Sequence, residues 1–300
     1  MRDLIFGREK LRALWRLLIF LALAIATFAV LSIAAGPLLP EGVDGYWSLA
    51  LPSALMVAAM LFASAVMMRL VERRPLAALG FPGGSQPAAD LARGMAIGGG
   101  FMALLVTLLT VVGWLRPAPD AGTFAGWLEH VAGLGLMLAL AAAAEELLFR
   151  GYAFQVLVEG SGPLIAVVLS SALFAGVHVF NPEVSAIALV NIGLAGVLMA
   201  GAYLRTRSLW VAIGLHWAWN WVMAAAFDLP VSGIDFDVPG YDTLELGPDA
   251  MTGGAFGPEA GLLTTALSLP LIVWVLRTPW LRESARMAEL KPLVDARELP

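Results

Sequence analysis

Three short strings hold the side chains that could do chemistry. Glu145, Glu146 and Arg150 lie in Ala144-Glu145-Glu146-Leu147-Leu148-Phe149-Arg150-Gly151. His178 closes Phe174-Ala175-Gly176-Val177-His178, and His216 stands four residues before Asn220 in His216-Trp217-Ala218-Trp219-Asn220. All six sit in apolar runs, where an ionisable side chain costs about 2.5–3.5 kcal/mol on insertion scales and marks a functional position by default. In a helix Glu146 and Arg150 share one stripe and can pair, which lowers the cost of burying both. Glu145 is turned about 100° away by the 3.6-residue period and is left free. His216 and Asn220 project from one helix toward one point.

A carboxylate and two imidazoles that converge in a dry pocket can exchange protons with a bound water. In this reading Glu145 takes the proton of a water shared with His178. The His216 N–H and the Asn220 amide then stabilise the oxyanion that forms as water adds to a peptide carbonyl. The reaction class is peptide hydrolysis. The same glutamate and histidines also make a possible zinc set with water as fourth ligand. The His-Glu-x-x-His spacing of soluble zinc proteases is missing, however, and the three residues come from three runs.

These residues need elements that hold them level within a membrane. The chain has 300 residues, 60% hydrophobic and 14% charged, with a mean hydropathy of +0.83 and no Cys. A soluble domain carries roughly 25% charged residues, so the composition points to lipid and excludes a disordered chain, a disulfide scaffold, a Cys-based metal site and a nucleic-acid binder. Apolar runs at 17–35, 48–68, 95–115, 126–158, 163–181, 184–204, 209–227 and 260–276 predict an all-α polytopic bundle of about eight transmembrane helices. The whole of 1–300 reads as a single integral membrane domain, with a catalytic core at 126–227, an acidic extracytoplasmic loop at 228–259 and a cytoplasmic tail at 278–300.

Sixteen of the 18 Lys and Arg residues fall on one side when the runs alternate, which places both termini in the cytoplasm. The basic start and the first run read as an uncleaved helix rather than a signal peptide. With Ser161 as the centre of the turn between the fourth and fifth runs, Glu145 and His178 come level, about 24 Å from the turn at 1.5 Å per residue. The fourth run is overlong, so the hairpin tip is expected to protrude about 10 Å into the cytoplasm, and Asn181-Pro182 is expected to turn inside the membrane.

The motifs Glu-Glu-x-x-x-Arg, Phe-x-x-x-His and His-x-x-x-Asn, in this order on three apolar runs, resemble those of the CPBP (Abi) intramembrane proteases, which include the type II CAAX prenyl endopeptidases. The resemblance implies an intramembrane endopeptidase in which Glu145 and His178 position the attacking water, His216 and Asn220 form the oxyanion site, and Glu146 and Arg150 support it. The family has been described both as metalloproteases and as glutamate-type proteases, so zinc stays open. The Ala-, Leu- and Trp-rich chain reads as bacterial, which implies the inner membrane and a peptide or protein substrate, free or membrane-associated, rather than a prenylated one.

Each feature also has a plainer reading. A Glu-Arg pair at this spacing is commonly structural, and Phe174, Trp217, Trp219 and Trp221 are expected to pack. Glu129 and His130 read as an interfacial pair, and the loop from Asp228 to Glu259 as solvated and mobile. A transporter would carry paired repeats, and none is seen. The remaining rival is a catalytically silent family member serving as a membrane scaffold, chaperone or immunity protein.

Overall fold

The computed structural model describes residues 11–38 and 47–290. Arg2, Arg8, Lys10, Lys291 and Arg297, used above for the orientation, lie outside the described residues, as does the end of the 278–300 tail.

The chain is an all-α bundle of apolar helices. In order these are α1 (Ala13–Ala35), α2 (Trp47–Val66), α3 (Gln86–Val111), α4 (Phe124–Phe149), α5 (Tyr152–Ser161), α6 (Pro163–Val177), α7 (Ala186–Thr206), α8 (Leu209–Trp221) and α9 (Leu262–Arg277), followed by the short α10 (Ala285–Glu289). Among the described residues six stretches are long and apolar enough to cross a membrane, with α4 and α5 forming one of them; α8 and α9 are shorter apolar helices. Bulky side chains including Ile25, Ile33, Leu104, Val111, Leu164, Leu173 and Val190 are exposed on the outside of the bundle. So much exposed hydrocarbon suits a lipid boundary and not water.

Local chemistry sets several boundaries. Thr123 caps α4 by accepting the Gly126 N–H, and Ser185 caps α7 by accepting that of Ala188. Gly162, at φ +83°, turns the chain, and Pro163 starts α6 where no N–H is needed. The turn centre is therefore one residue beyond Ser161.

The fourth apolar run is not one straight helix. It breaks at Arg150-Gly151, where a Cβ on Gly151 would lie 2.1 Å from the Leu147 carbonyl oxygen. Beyond the break α5 starts afresh and packs on α1 and α6. There the fully buried Arg16 of α1 bonds Glu159 of α5 and Glu72 beyond α2, while the Tyr152 hydroxyl donates to Glu72.

The closest packing joins α3 to α8. Cβ atoms on Gly94 and Gly98 would lie 2.1 and 2.0 Å from the carbonyl oxygens of Val211 and Leu215, and one on Gly214 would lie 2.3 Å from that of Leu91. Backbone thus meets backbone, as small residues permit between membrane helices. This contact seats α8, the helix that carries His216 and Asn220.

The segment between α8 and α9 is folded, which corrects the expectation of a merely solvated and mobile loop. Its strand β2 (Tyr241–Glu245) pairs antiparallel with β1 (Leu115–Pro119), which lies between α3 and α4. Asp228 accepts the Val238 N–H at 2.8 Å, and the Gly233 N–H donates to the Phe256 carbonyl. The apolar side chains of Leu229, Val231, Val238 and Phe256 join the main core cluster.

Candidate active site

A cavity of about 330 Å³ lies between α4, α6, α7 and α8 and is covered by the folded loop. Glu145, His178, His216 and Asn220 all line it, as the helical periodicity and the hairpin register predict. Apolar walls come from Met137, Leu138, Phe174, Ile192, Met199 and Leu215.

The two adjacent glutamates divide as their 100° separation requires. Glu145 faces the cavity with its side chain 36% exposed, whereas Glu146 and Arg150 are wholly buried behind it. The Arg150 Nη1 donates to Glu146 Oε1 at 2.9 Å, and its Nη2 donates to the Gly196 carbonyl of α7 at 3.0 Å. The guanidinium carbon also lies 4.7 Å from the centre of the Phe174 ring. Phe174 thus does more than fill space: its carbonyl accepts from His178 Nδ1 at 2.7 Å, and its ring packs at right angles to Phe149.

His216 makes a contact that spacing alone does not reveal. Its Nδ1 lies 3.0 Å from Glu146 Oε1, so one carboxylate oxygen holds both the arginine and the imidazole. The other nitrogen, Nε2, is 3.9 Å from Glu145 Oε2, too far for a direct bond and near enough for a shared water. That Glu145 oxygen has no hydrogen-bond partner among the described residues. His178 turns up in the 3-10 turn His178–Phe180 at the end of α6, half-buried, and its bonded Nδ1 leaves Nε2 as the free ring nitrogen. Asn220 is half-buried on the same wall as His216.

The Asn181-Pro182 turn that follows is covered by protein. The Asn181 side-chain amide donates to the Ser232 carbonyl, and Gly233 packs so closely that a Cβ there would sit 2.2 Å from the Pro182 oxygen. Protein thereby covers this backbone, as a turn within a bilayer would require. Trp219 is buried and stacks on Phe101 at 4.4 Å, and Trp217 stacks on Trp221. His130 Nε2 meets the Phe236 carbonyl at 2.9 Å, tying α4 to the loop.

Motif reading did not find Ser232, Phe236 and Glu259, which also line the cavity. They lie in an irregular segment with no periodicity to mark a face. A zinc site fits poorly. Among the described residues no three His, Asp or Glu side chains gather as a ligand set. The bonds at both Nδ1 atoms leave the two Nε2 atoms and Glu145 facing the cavity, enough donors in number for zinc but not gathered around one point. No chemical step is therefore routed through a metal.

Residues 127–222 match a family model described as Type II CAAX prenyl endopeptidase Rce1-like. The matched stretch, about a third of the chain, contains every one of the six motif residues and bears out the family resemblance. Comparisons with curated proteins and with solved structures gave no match.

Proposed function

We propose that this multi-pass protein, whose core matches the CAAX-type endopeptidase family, is an intramembrane endopeptidase that hydrolyses a peptide bond with a Glu/His-activated water. The observation that carries this reading is the convergence of Glu145, His178, His216 and Asn220 on one cavity from three separate parts of the chain.

Water binds between Glu145 and the Nε2 of His178. The Phe174 carbonyl, by accepting a hydrogen bond from Nδ1–H, keeps the proton there and leaves the His178 Nε2 lone pair to receive a hydrogen bond. Glu145 removes a proton as the water oxygen attacks the carbonyl carbon, and later returns it to the leaving amine. The negative oxygen that develops is met by the Asn220 amide and by His216 Nε2–H. With Nδ1 donating to Glu146, this second donor requires a doubly protonated ring, whose charge the Glu146 carboxylate balances. Glu145, Glu146, Arg150 and His216 then total two negative and two positive charges, which suits a buried cluster.

The substrate is a peptide or protein associated with the bilayer, and the setting is the inner membrane of a bacterial-type cell with both chain termini cytoplasmic. The deciding assay compares purified parent, Glu145→Ala and His178→Ala on peptides in detergent. The parent cleaves and both variants lose activity; equal rates in all three would refute the mechanism. A parent that cleaves nothing would favour the silent scaffold reading. The orientation is read separately: a cysteine replacing Ser161 in this Cys-free chain reacts with an impermeant thiol reagent only from the cytoplasmic side.

A further inference from the structure

The loop-side end of the cavity holds a carboxylate that the hydrolytic steps do not use. Glu259 lies in the turn Pro258–Ala260 just before α9, is 8% exposed, and lines the same cavity as Glu145 and His178. Its Oε1 accepts the indole N–H of Trp219 at 3.0 Å. Its Oε2 accepts the backbone N–H and the hydroxyl of Ser232 at 2.9 and 2.7 Å. All three donors are neutral, and among the described residues no cationic side chain pairs with it.

The lining of the whole cavity points the same way. Among the described residues it includes two carboxylates, Glu145 and Glu259, and neither Lys nor Arg. Arg150 is buried behind Glu146 and makes its bonds there. The chain has no Lys or Arg between Arg207 and Arg277, while the loop carries seven acidic residues from Asp228 to Glu259. At its edge the chain alternates: Ile234 and Phe236 line the cavity, and Asp235 and Asp237 are exposed to solvent. The one cationic ring on the wall, His216, is balanced from behind by Glu146, so the cavity keeps an excess of negative charge, and a concave site with an excess of one sign concentrates ligands of the other. A carboxylate removed from water without a cation leaves its charge uncompensated, and a cationic ligand would supply the missing partner.

We infer that Glu259 is a specificity-determining residue that receives a Lys or Arg side chain of the substrate, a few residues from the scissile bond, at the loop-side end of the cavity. The acidic edge at Asp235 and Asp237 draws such segments in. This inference rests on the hydrolytic reading of the site. A purely structural latch is the competing role of Glu259, since two acceptor oxygens also tie the loop to α8 through Ser232 and Trp219.

The test uses the purified full-length chain in detergent with a proteome-derived peptide mixture, the products being sequenced by mass spectrometry. Cleaved bonds are expected to carry Lys or Arg at one fixed nearby position, favoured about tenfold or more over neutral residues. Acetylation of that lysine in a synthetic peptide removes the advantage. Glu259→Gln lowers the Lys-over-acetyl-lysine ratio of kcat/KM about tenfold, and Glu259→Asp, which keeps the charge, preserves the preference. Cleavage with no basic bias in the parent overturns the inference and leaves the proposed function standing, whether or not the variants fold. A preference unchanged in Glu259→Gln also overturns it and assigns Glu259 to the latch. If the parent cleaves no peptide at all, the proposed function itself has failed.

Discussion

The Nδ1 of His216 lies 3.0 Å from Oε1 of Glu146, seventy residues earlier in the chain, and that same oxygen takes the Arg150 guanidinium at 2.9 Å. A pair that helical spacing explains within α4 is thus extended across the bundle to the histidine on α8. The second glutamate sets the ring that faces the cavity, and the arginine secures the glutamate.

Breaking this relay should cost stability and rate together. Arg150→Met leaves Glu146 buried and short of its main counter-charge, a loss of roughly 3–5 kcal/mol for a buried pair. The double variant Glu146→Gln/Arg150→Met recovers much of that stability because neither member of the Glu146–Arg150 pair is left buried without the other. Its cleavage rate stays low because His216 has lost its carboxylate. Thermal unfolding in detergent and single-turnover cleavage separate the two effects.

Asn220 makes a narrower contribution. Asn220→Asp replaces the amide donor by an acceptor where negative charge develops, and should lower kcat by about 10²–10³ with the Tm nearly unchanged. A fall in Tm alone, with kcat intact, would place Asn220 outside the oxyanion site.

The α3–α8 contact should be intolerant of a single methyl group. Gly98→Ala puts a Cβ 2.0 Å from the Leu215 oxygen, and the displaced element on the other side is backbone. A loss of about 1–3 kcal/mol follows from overpacking, with reduced activity because α8 shifts. Gly100→Ala is the control: among the described residues nothing beyond its own stretch of helix lies within 4 Å of its Cβ position, and the Tm should hold.

Asp228 gives the loop a pH dependence of defined sign. Burial pushes its carboxyl from 3.8 up to about 6, with the charges of Asp235, Asp242 and Asp237 adding to the shift and the Val238 N–H opposing it. The folded state therefore holds this proton more tightly than the unfolded chain. Its contribution to stability is fully present below about pH 4, is lost as the pH rises toward 6, and stays lost above. Asp228→Asn keeps an acceptor for Val238 and suits the left-handed backbone at φ 47°. Its Tm should exceed that of the parent at pH 7.5, with the gap closing below pH 5.

Chelation tests the water mechanism from another side. The imidazole nitrogens and Glu145 do not gather as a ligand set, so treatment with a strong chelator should leave cleavage within about twofold of the untreated rate, less than the effect of losing one catalytic interaction. Loss of activity that added zinc restores would require the site to rearrange around a metal.

Much of the site was legible because it depends on short-range periodicity. Four-residue spacing alone pairs Glu146 with Arg150 and puts His216 and Asn220 on one face, and a 100° turn sends Glu145 the other way. Counting from the hairpin brings Glu145 and His178 level, and both reach the cavity even though the turn centres on Gly162 and the fourth run breaks at Arg150-Gly151. The break was hidden because one glycine in an apolar run is common, and only the close approach of Gly151 to the Leu147 carbonyl shows why it is there.

By itself, then, the amino-acid sequence determined the lipid environment, the helical elements and the local faces of the motifs, since hydropathy and helical period are properties of neighbouring residues. The tertiary structure alone decided that His216 meets Glu146, that the acidic segment folds over the cavity, and that Glu259 lines it between Trp219 and Ser232. Those contacts follow from how closely α3 and α8 approach through Gly94, Gly98 and Gly214 and from where an irregular loop finds its hydrogen bonds. Neither has a period that a linear reading can detect.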